Sequence, residues 1–149
     1  MPDPKGAYVG KAHPKAVLAS PEWYELASKL LAEVARECGE DGFQLSVCEV
    51  FIGAPKEFAD EDGNMSWCFY IDGKDARCEK GNSKDVDLYM QGTWDPADAR
   101  QVYPPDWLDE QAKNPTPQPE DPNMAIEGDM ERLPPWIIEF HNRLAPYTA

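Results

Sequence analysis

A change of period along the chain constrains its fold more than any other feature. Between Phe43 and Gln91 large apolar residues recur at every second position, whereas before and after that stretch they recur every three and four. The first spacing suits only a strand with one buried face and the second only an amphipathic helix, so strands stand in the middle with helices around them. At 149 residues the expectation is one α+β domain, with surface enough to bury for a real core and a small cavity.

The leading helix is the plainest element. Ser20 can cap it and Pro21 suits its first position, while Trp23, Leu26, Ala27, Leu30 and Val34 form its stripe. Gly39 offers a left-handed stop. Before it, residues 1–19 read as a weakly patterned arm interrupted by Pro4 and Pro14, in which Ala16, Val17 and Leu18 can begin a short turn.

In the first strand Phe43, Leu45, Val47, Glu49 and Phe51 alternate with Gln44, Ser46, Cys48, Val50 and Ile52. The second set turns apolar toward its end, which implies cover on both faces there. A polar loop over residues 55–64 leads to Met65, Trp67, Phe69 and Ile71 on one face, a turn at Asp72-Gly73, and a returning strand through Ala76 and Cys78. That turn sets Ile71 opposite Lys74, Phe69 opposite Ala76 and Trp67 opposite Cys78. After Gly81-Asn82, Val86, Leu88 and Met90 make a further strand, so the middle reads as an antiparallel meander.

Thr93-Trp94-Asp95-Pro96 resembles a cap and a short helix over residues 97–102, stopped before Pro104-Pro105. Trp107 and Leu108 read as an isolated apolar pair, loop residues resting on the core or part of a lid. Residues 114–122, NPTPQPEDP, form an extended spacer that can be neither helix nor central strand. Met124, Ala125 and Ile126 make a short strand closed by Gly128-Asp129, and Trp136, Ile137, Phe140 and Leu144 mark a helix over residues 134–145.

Charge and composition exclude several functions. Lys and Arg total 14 against 28 Asp and Glu, a formal charge of −14 that repels a phosphate backbone and an anionic membrane alike. Residues 1–10 contain no apolar run of the export type, and no window approaches the roughly 20 apolar residues of a membrane span. The expectation is a cytoplasmic protein with no nucleic-acid partner and no stable membrane insertion. Cys38, Cys48, Cys68 and Cys78 contain no Cys-x-x-Cys pair, and alternation puts Cys68 and Cys78 on opposite faces of the sheet. Buried free thiols, without metal or structural disulfide, are expected.

The catalytic inventory is thin. His13 lies in the arm and His141 on the last helix, and nucleophile-elbow, metalloprotease and phosphate-loop patterns are missing from the sequence. Asp95 reads as a helix cap. Glu49, on the apolar side of its strand, either meets solvent or forms a polar handle within a pocket, where desolvation raises its pKa.

The run MSWCFYIDGKDA over residues 65–76, followed by Asp85-Val86-Asp87-Leu88, resembles the sterol carrier protein 2 family, and the ending MAIEGDMERLPPWIIEFHNRL over residues 124–144 is similar to that family's strand, Gly-Asp and helix. The resemblance covers residues 20–145, taken as one lipid-binding domain with the 114–122 spacer inside it. It implies an α+β fold with a five-stranded, largely antiparallel sheet covered on one side by helices, and an apolar tunnel between them for a sterol, fatty acid or acyl-CoA. The sequence departs from the family in its Pro-rich passage, where a smooth helical one is usual, and in its acidity.

Trp67, Phe69, Met90, Trp94, Trp107, Trp136, Ile137 and Phe140 are the candidate ligand-binding residues, with Glu49 as the polar handle. The leading reading is a carrier for an apolar small molecule that needs no cofactor. Two alternatives stay open: a small isomerase, hydratase or lyase with Glu49 or Asp95 as general base, and an acidic module that delivers substrate to a basic protein partner.

Overall fold

The structure is a computed structural model and describes residues 15–113 and 121–149. His13, most of the arm and most of the Pro-rich spacer lie outside the described residues. Helix α1 (Pro21–Cys38) begins where expected: Ser20 Oγ accepts a bond from the Trp23 amide at 3.2 Å, and the stripe from Trp23 to Ala35 is buried. Its end differs from the expectation. Gly39 is extended (φ −67°), and glycine is needed because a Cβ there would run into the carbonyl oxygens of Gly73 and Ala35. Close backbone approach, rather than left-handed geometry, accounts for this residue.

The strands are β1 (Gln44–Ile52), β2 (Asn64–Asp72), β3 (Asp75–Lys80), β4 (Leu88–Thr93) and β5 (Ala125–Glu127), in the spatial order β3-β2-β1-β4-β5. Two expectations are corrected here. First, the β2–β3 turn is Gly73-Lys74 rather than Asp72-Gly73, with Gly73 at φ 62° and Asp72 paired with Asp75. Ile71 therefore faces Ala76, Phe69 faces Cys78 and Trp67 faces Lys80. A register shift of two residues leaves every side chain on its expected face, so Cys68 and Cys78 still point to opposite sides.

Second, the middle is not an antiparallel meander. Strand β4 pairs with β1 in parallel, while the β1–β2, β2–β3 and β4–β5 pairings are antiparallel. Residues 81–87 carry the chain from β3 to β4 across the sheet face turned away from the helices. There the Gly81 carbonyl lies 3.5 Å from Cys68 Sγ, Asn82 Oδ1 accepts from the Tyr89 hydroxyl at 3.2 Å, and the Asp87 carboxylate accepts from the Ser46 amide at 3.0 Å. This short crossover covers Cys48, Val50, Cys68 and Tyr89, the second buried face that the alternation in β1 implied.

The other sheet face carries the main core. Leu45 and Val47 of β1, Met65, Trp67, Phe69 and Ile71 of β2, and Leu88 of β4 pack with α1 and with α4 (Ile137–Leu144). The largely buried Arg143 of α4 clamps Glu37 of α1 through two bonds of 2.9 Å. Ala16 pairs with Thr148, whose hydroxyl accepts from Trp23 Nε1 at 3.0 Å, and Ala16, Leu18 and Ala19 are buried with the core. Helix α2 (Pro96–Arg100) is capped by Asp95. Trp107 and Leu108, expected in a loop, open helix α3 (Trp107–Lys113), with Asp109 and Glu110 in its first turn and Lys113 in its last, matching the helix dipole.

All four cysteines are free, and Cys48 stands directly opposite Cys68. Burial pushes the Cys48 and Cys78 thiols up to about 12, which suppresses the reactive thiolate, whereas Cys38 is exposed. A disulfide reagent should therefore titrate Cys38 promptly in native protein and the other three only on unfolding. Prompt modification of Cys48 or Cys68, located by peptide mass spectrometry, would contradict this burial.

Candidate functional site

The sheet and helices do not close fully on one another. A cavity of about 320 Å³ remains between the inner sheet face, α4 and the segment that contains α2 and the start of α3. Alternation in the strands aims Glu49, Phe51, Met65, Trp67, Phe69 and Met90 at it. Opposite them stand Ile137, Ile138, Phe140, His141 and Leu144, which share one side of α4. Trp94, Asp95, Asp98, Ala99, Tyr103, Trp107 and Leu108 form the side nearest α2, and Leu18, Trp23, Met130 and Leu133 complete the wall.

Aromatic packing shapes this space. The Trp67 ring lies 4.8 Å from that of Trp23, 5.8 Å from Phe69 and 6.2 Å from Phe140. Phe51 meets Trp94 edge-on at 6.5 Å, and Tyr103 lies between Trp107 at 4.9 Å and His141 at 5.2 Å. Trp67 thus contacts Phe69 and Phe140 without filling the interior.

One carboxyl reaches into this apolar space. Glu49 Oε1 accepts the Trp67 Nε1 hydrogen at 2.9 Å. The accessible surface that leaves Glu49 only half-buried is cavity wall, and the carboxyl itself is enclosed by protein. Desolvation pushes its pKa up to about 7, against the bond from Trp67 and with a small addition from the Asp98 charge.

The other polar groups hold one another. Asp95 accepts from the amides of Ala97 at 3.1 Å and Asp98 at 3.4 Å, so its carboxylate serves as the expected cap. The Tyr103 hydroxyl donates to Asp98, and burial first, then that carboxylate, raises its pKa. His141 Nε2 donates to the Gln101 carbonyl at 2.7 Å, while Asn142 exchanges two bonds with the Tyr103 backbone, at 2.9 and 2.7 Å. These bonds fasten the segment after α2 to α4.

Of the candidate residues, Trp67, Phe69, Met90, Trp94, Trp107, Ile137, Phe140 and Glu49 all line the cavity. Trp136 does not: it precedes α4, half-buried against the core. Phe51, Met65, Tyr103 and His141 are wall residues beyond those the sequence singles out. Alternation signals the first two, since Phe51 and Met65 are cross-strand partners on the inward face. Nothing local signals Tyr103. Among the described residues no group of three or more His, Cys, Asp or Glu side chains could hold a metal ion, and no helix is long and apolar enough to cross a membrane.

A crystal structure of sterol carrier protein 2 is similar to 89% of this chain and 99% of its own, with a TM-score of 0.53 and 11% identity. A solution structure from Thermus thermophilus, described as possibly a sterol carrier protein, is similar over 90% of this chain and 96% of its own, with a TM-score of 0.49 and 12% identity. No family model and no curated protein matches the sequence. The chain therefore has the fold of sterol carrier protein 2, reached with a sequence far removed from it.

Proposed function

We propose that the protein is a carrier that takes up an apolar small molecule, of the lipid class, by burying it between sheet and helices. The observation that carries this reading is the cavity of about 320 Å³, walled by Trp67, Phe69, Phe140 and Ile138. Such space is near the lower end of the roughly 300–1,000 Å³ of small-molecule sites. Burial of about 200 Å² of apolar ligand surface contributes a gross ~5 kcal/mol before ordering costs, enough for reversible loading without bond chemistry. The fold supports the same reading, since the similar crystal structure is of a protein named for carrying sterol.

The test is uptake of a neutral apolar fluorophore, N-phenyl-1-naphthylamine, read by its emission and by energy transfer from Trp67, Trp94 and Trp107. Saturable one-to-one binding is expected, weakened at least about tenfold in Ile138→Trp, which fills the cavity. Binding that never saturates, or that ignores the filled cavity in a variant still folded by circular dichroism, would refute the carrier reading.

A second reading has one observation in its favour: a carboxyl poised near 7 inside an apolar enclosure is also what a general base requires. It predicts deuterium wash-in at an activated C–H of a bound apolar ketone, rising through pH 7 and lost in Glu49→Gln. No exchange above the solvent rate would remove it.

A further inference from the structure

The charged inventory of the cavity is one-sided. Three of its donors are engaged, Trp67 Nε1 by Glu49, the Tyr103 hydroxyl by Asp98 and His141 Nε2 by the Gln101 carbonyl, and Trp94 and Trp107 add only neutral indole N–H groups. Its formally charged groups are carboxyls. Glu49 Oε2 has no hydrogen-bond partner among the described residues, and Asp98 and Asp95 add two more carboxylates to the same wall. Among the described residues no lysine or arginine lines the cavity.

A guest whose polar end only accepts, such as a carboxylate or phosphate, would meet three carboxyl groups and, among the described residues, no cationic side chain to offset its charge. It would also approach against the field of a chain carrying −14. A guest whose polar end donates finds an oxygen with nothing else to bind, in surroundings that strengthen a charged hydrogen bond.

We propose that the cavity selects an apolar molecule bearing a protonated amine, with its nitrogen on Glu49 Oε2 and its chain among Trp67, Phe69 and Phe140, and that it rejects the corresponding carboxylic acid. This rests on the cavity being the binding site. The selection follows from position. Glu49 stands at mid-strand on β1, two residues from Val47 and from Phe51 on the same face, so an amine seated there has its hydrocarbon directed along apolar wall. Ionisation of Glu49 is unfavourable in the empty cavity for want of a counter-charge, and an ammonium group supplies one.

The experiment compares decylamine, decan-1-ol and decanoic acid as competitors of N-phenyl-1-naphthylamine at pH 8. The medium contains 0.5 M sodium chloride, where the Debye length is about 4 Å and attraction of the amine to the acidic exterior is screened. The amine is expected to bind roughly ten times more tightly than the alcohol, and the acid roughly ten times more weakly. Glu49→Gln keeps an oxygen for Trp67 and removes the charge. It should cancel most of the amine's advantage over the alcohol, in a variant that circular dichroism shows to be folded. Acid binding as tight as amine binding, or an amine advantage untouched in Glu49→Gln, would overturn the proposal while leaving the carrier reading intact. Failure of the fluorophore and all three competitors to bind would remove both.

Discussion

Trp67→Ala should lower the stability of the protein by about 3–5 kcal/mol, the largest loss we expect from any single truncation in the chain. For a domain of this size that is about 10 °C in the melting temperature, and a matching fall in the urea midpoint should accompany it. Trp67 is only 4% exposed and touches Trp23, Tyr24, Phe69 and Phe140, so one ring joins α1, β2 and α4. Where a core is solid, neighbours partly collapse into the space left by a lost side chain. Here the space would merge with an existing cavity, so little of the lost contact would be recovered. Trp67→Phe separates packing from hydrogen bonding. It should cost considerably less, yet move the Glu49 titration above pH 7, because the bond from Nε1 is what opposes desolvation there. Carbon-13 NMR of the Glu49 carboxyl reads that shift directly, and an unchanged titration would show that the bond contributes nothing to the charged form.

How far the sequence discloses this structure depends on the range of the interaction that decides each element. Ser20, Pro21 and the Trp23-to-Ala35 stripe settle α1 within a few residues of chain, and Asp95 caps α2 by a bond to amides two and three residues on. Faces are equally legible, since alternation assigns them whatever the partner strand. Strand order is not. Placing β4 beside β1 depends on residues 81–87 fitting across the far side of the sheet, held by Tyr89 and by Ser46 and Cys68, which lie on other strands. A hairpin is the usual expectation for a short connection, and a parallel crossover normally takes a dozen residues or more. The β2–β3 register escapes for a more local reason: both Asp72-Gly73 and Gly73-Lys74 are acceptable two-residue turns, and pairing along the whole hairpin decides between them.

The candidate site divides along the same line. Trp67, Phe69, Met90 and Glu49 are legible because strand faces are, and Ile137 and Phe140 because their helix has a single stripe. Spacing alone puts Trp136 on that stripe, but it stands at the N-cap of α4, half-buried against the core and off the cavity wall. Tyr103 and His141 meet only because Asn142 binds the Tyr103 backbone and His141 binds Gln101, contacts across some forty positions of chain that no spacing rule reaches.

Glu49→Gln should stabilise the empty protein at pH 8 relative to its advantage at pH 4, by about 2 kcal/mol. The sign follows from the direction of the shift. Burial raises the folded-state pKa of Glu49 from 4.5 to about 7, so between those values the folded chain holds a proton that the unfolded chain has released. Stability from this group is fully present below about 4.5 and is lost as pH rises through about 7. Water entering the cavity softens the penalty, hence a figure below what the full shift would give. The groups around Glu49 are Asp95 and Asp98 at α2, Tyr103, His141 on α4 and Cys78 on β3, and Asp98 adds to the shift by repulsion. Elsewhere the trend is opposite: bonds from Arg143 hold Glu37 low, and bonds to Ser46 and Thr93 hold Asp87 and Asp121 low, so those groups stabilise the fold as pH rises from acid. The difference between wild type and Glu49→Gln, measured by urea unfolding from pH 4 to 8, cancels these shared contributions and isolates Glu49. A difference that stays flat across the range would mean that the carboxyl is solvated as if on the surface, and an amine in the cavity would then gain nothing from it.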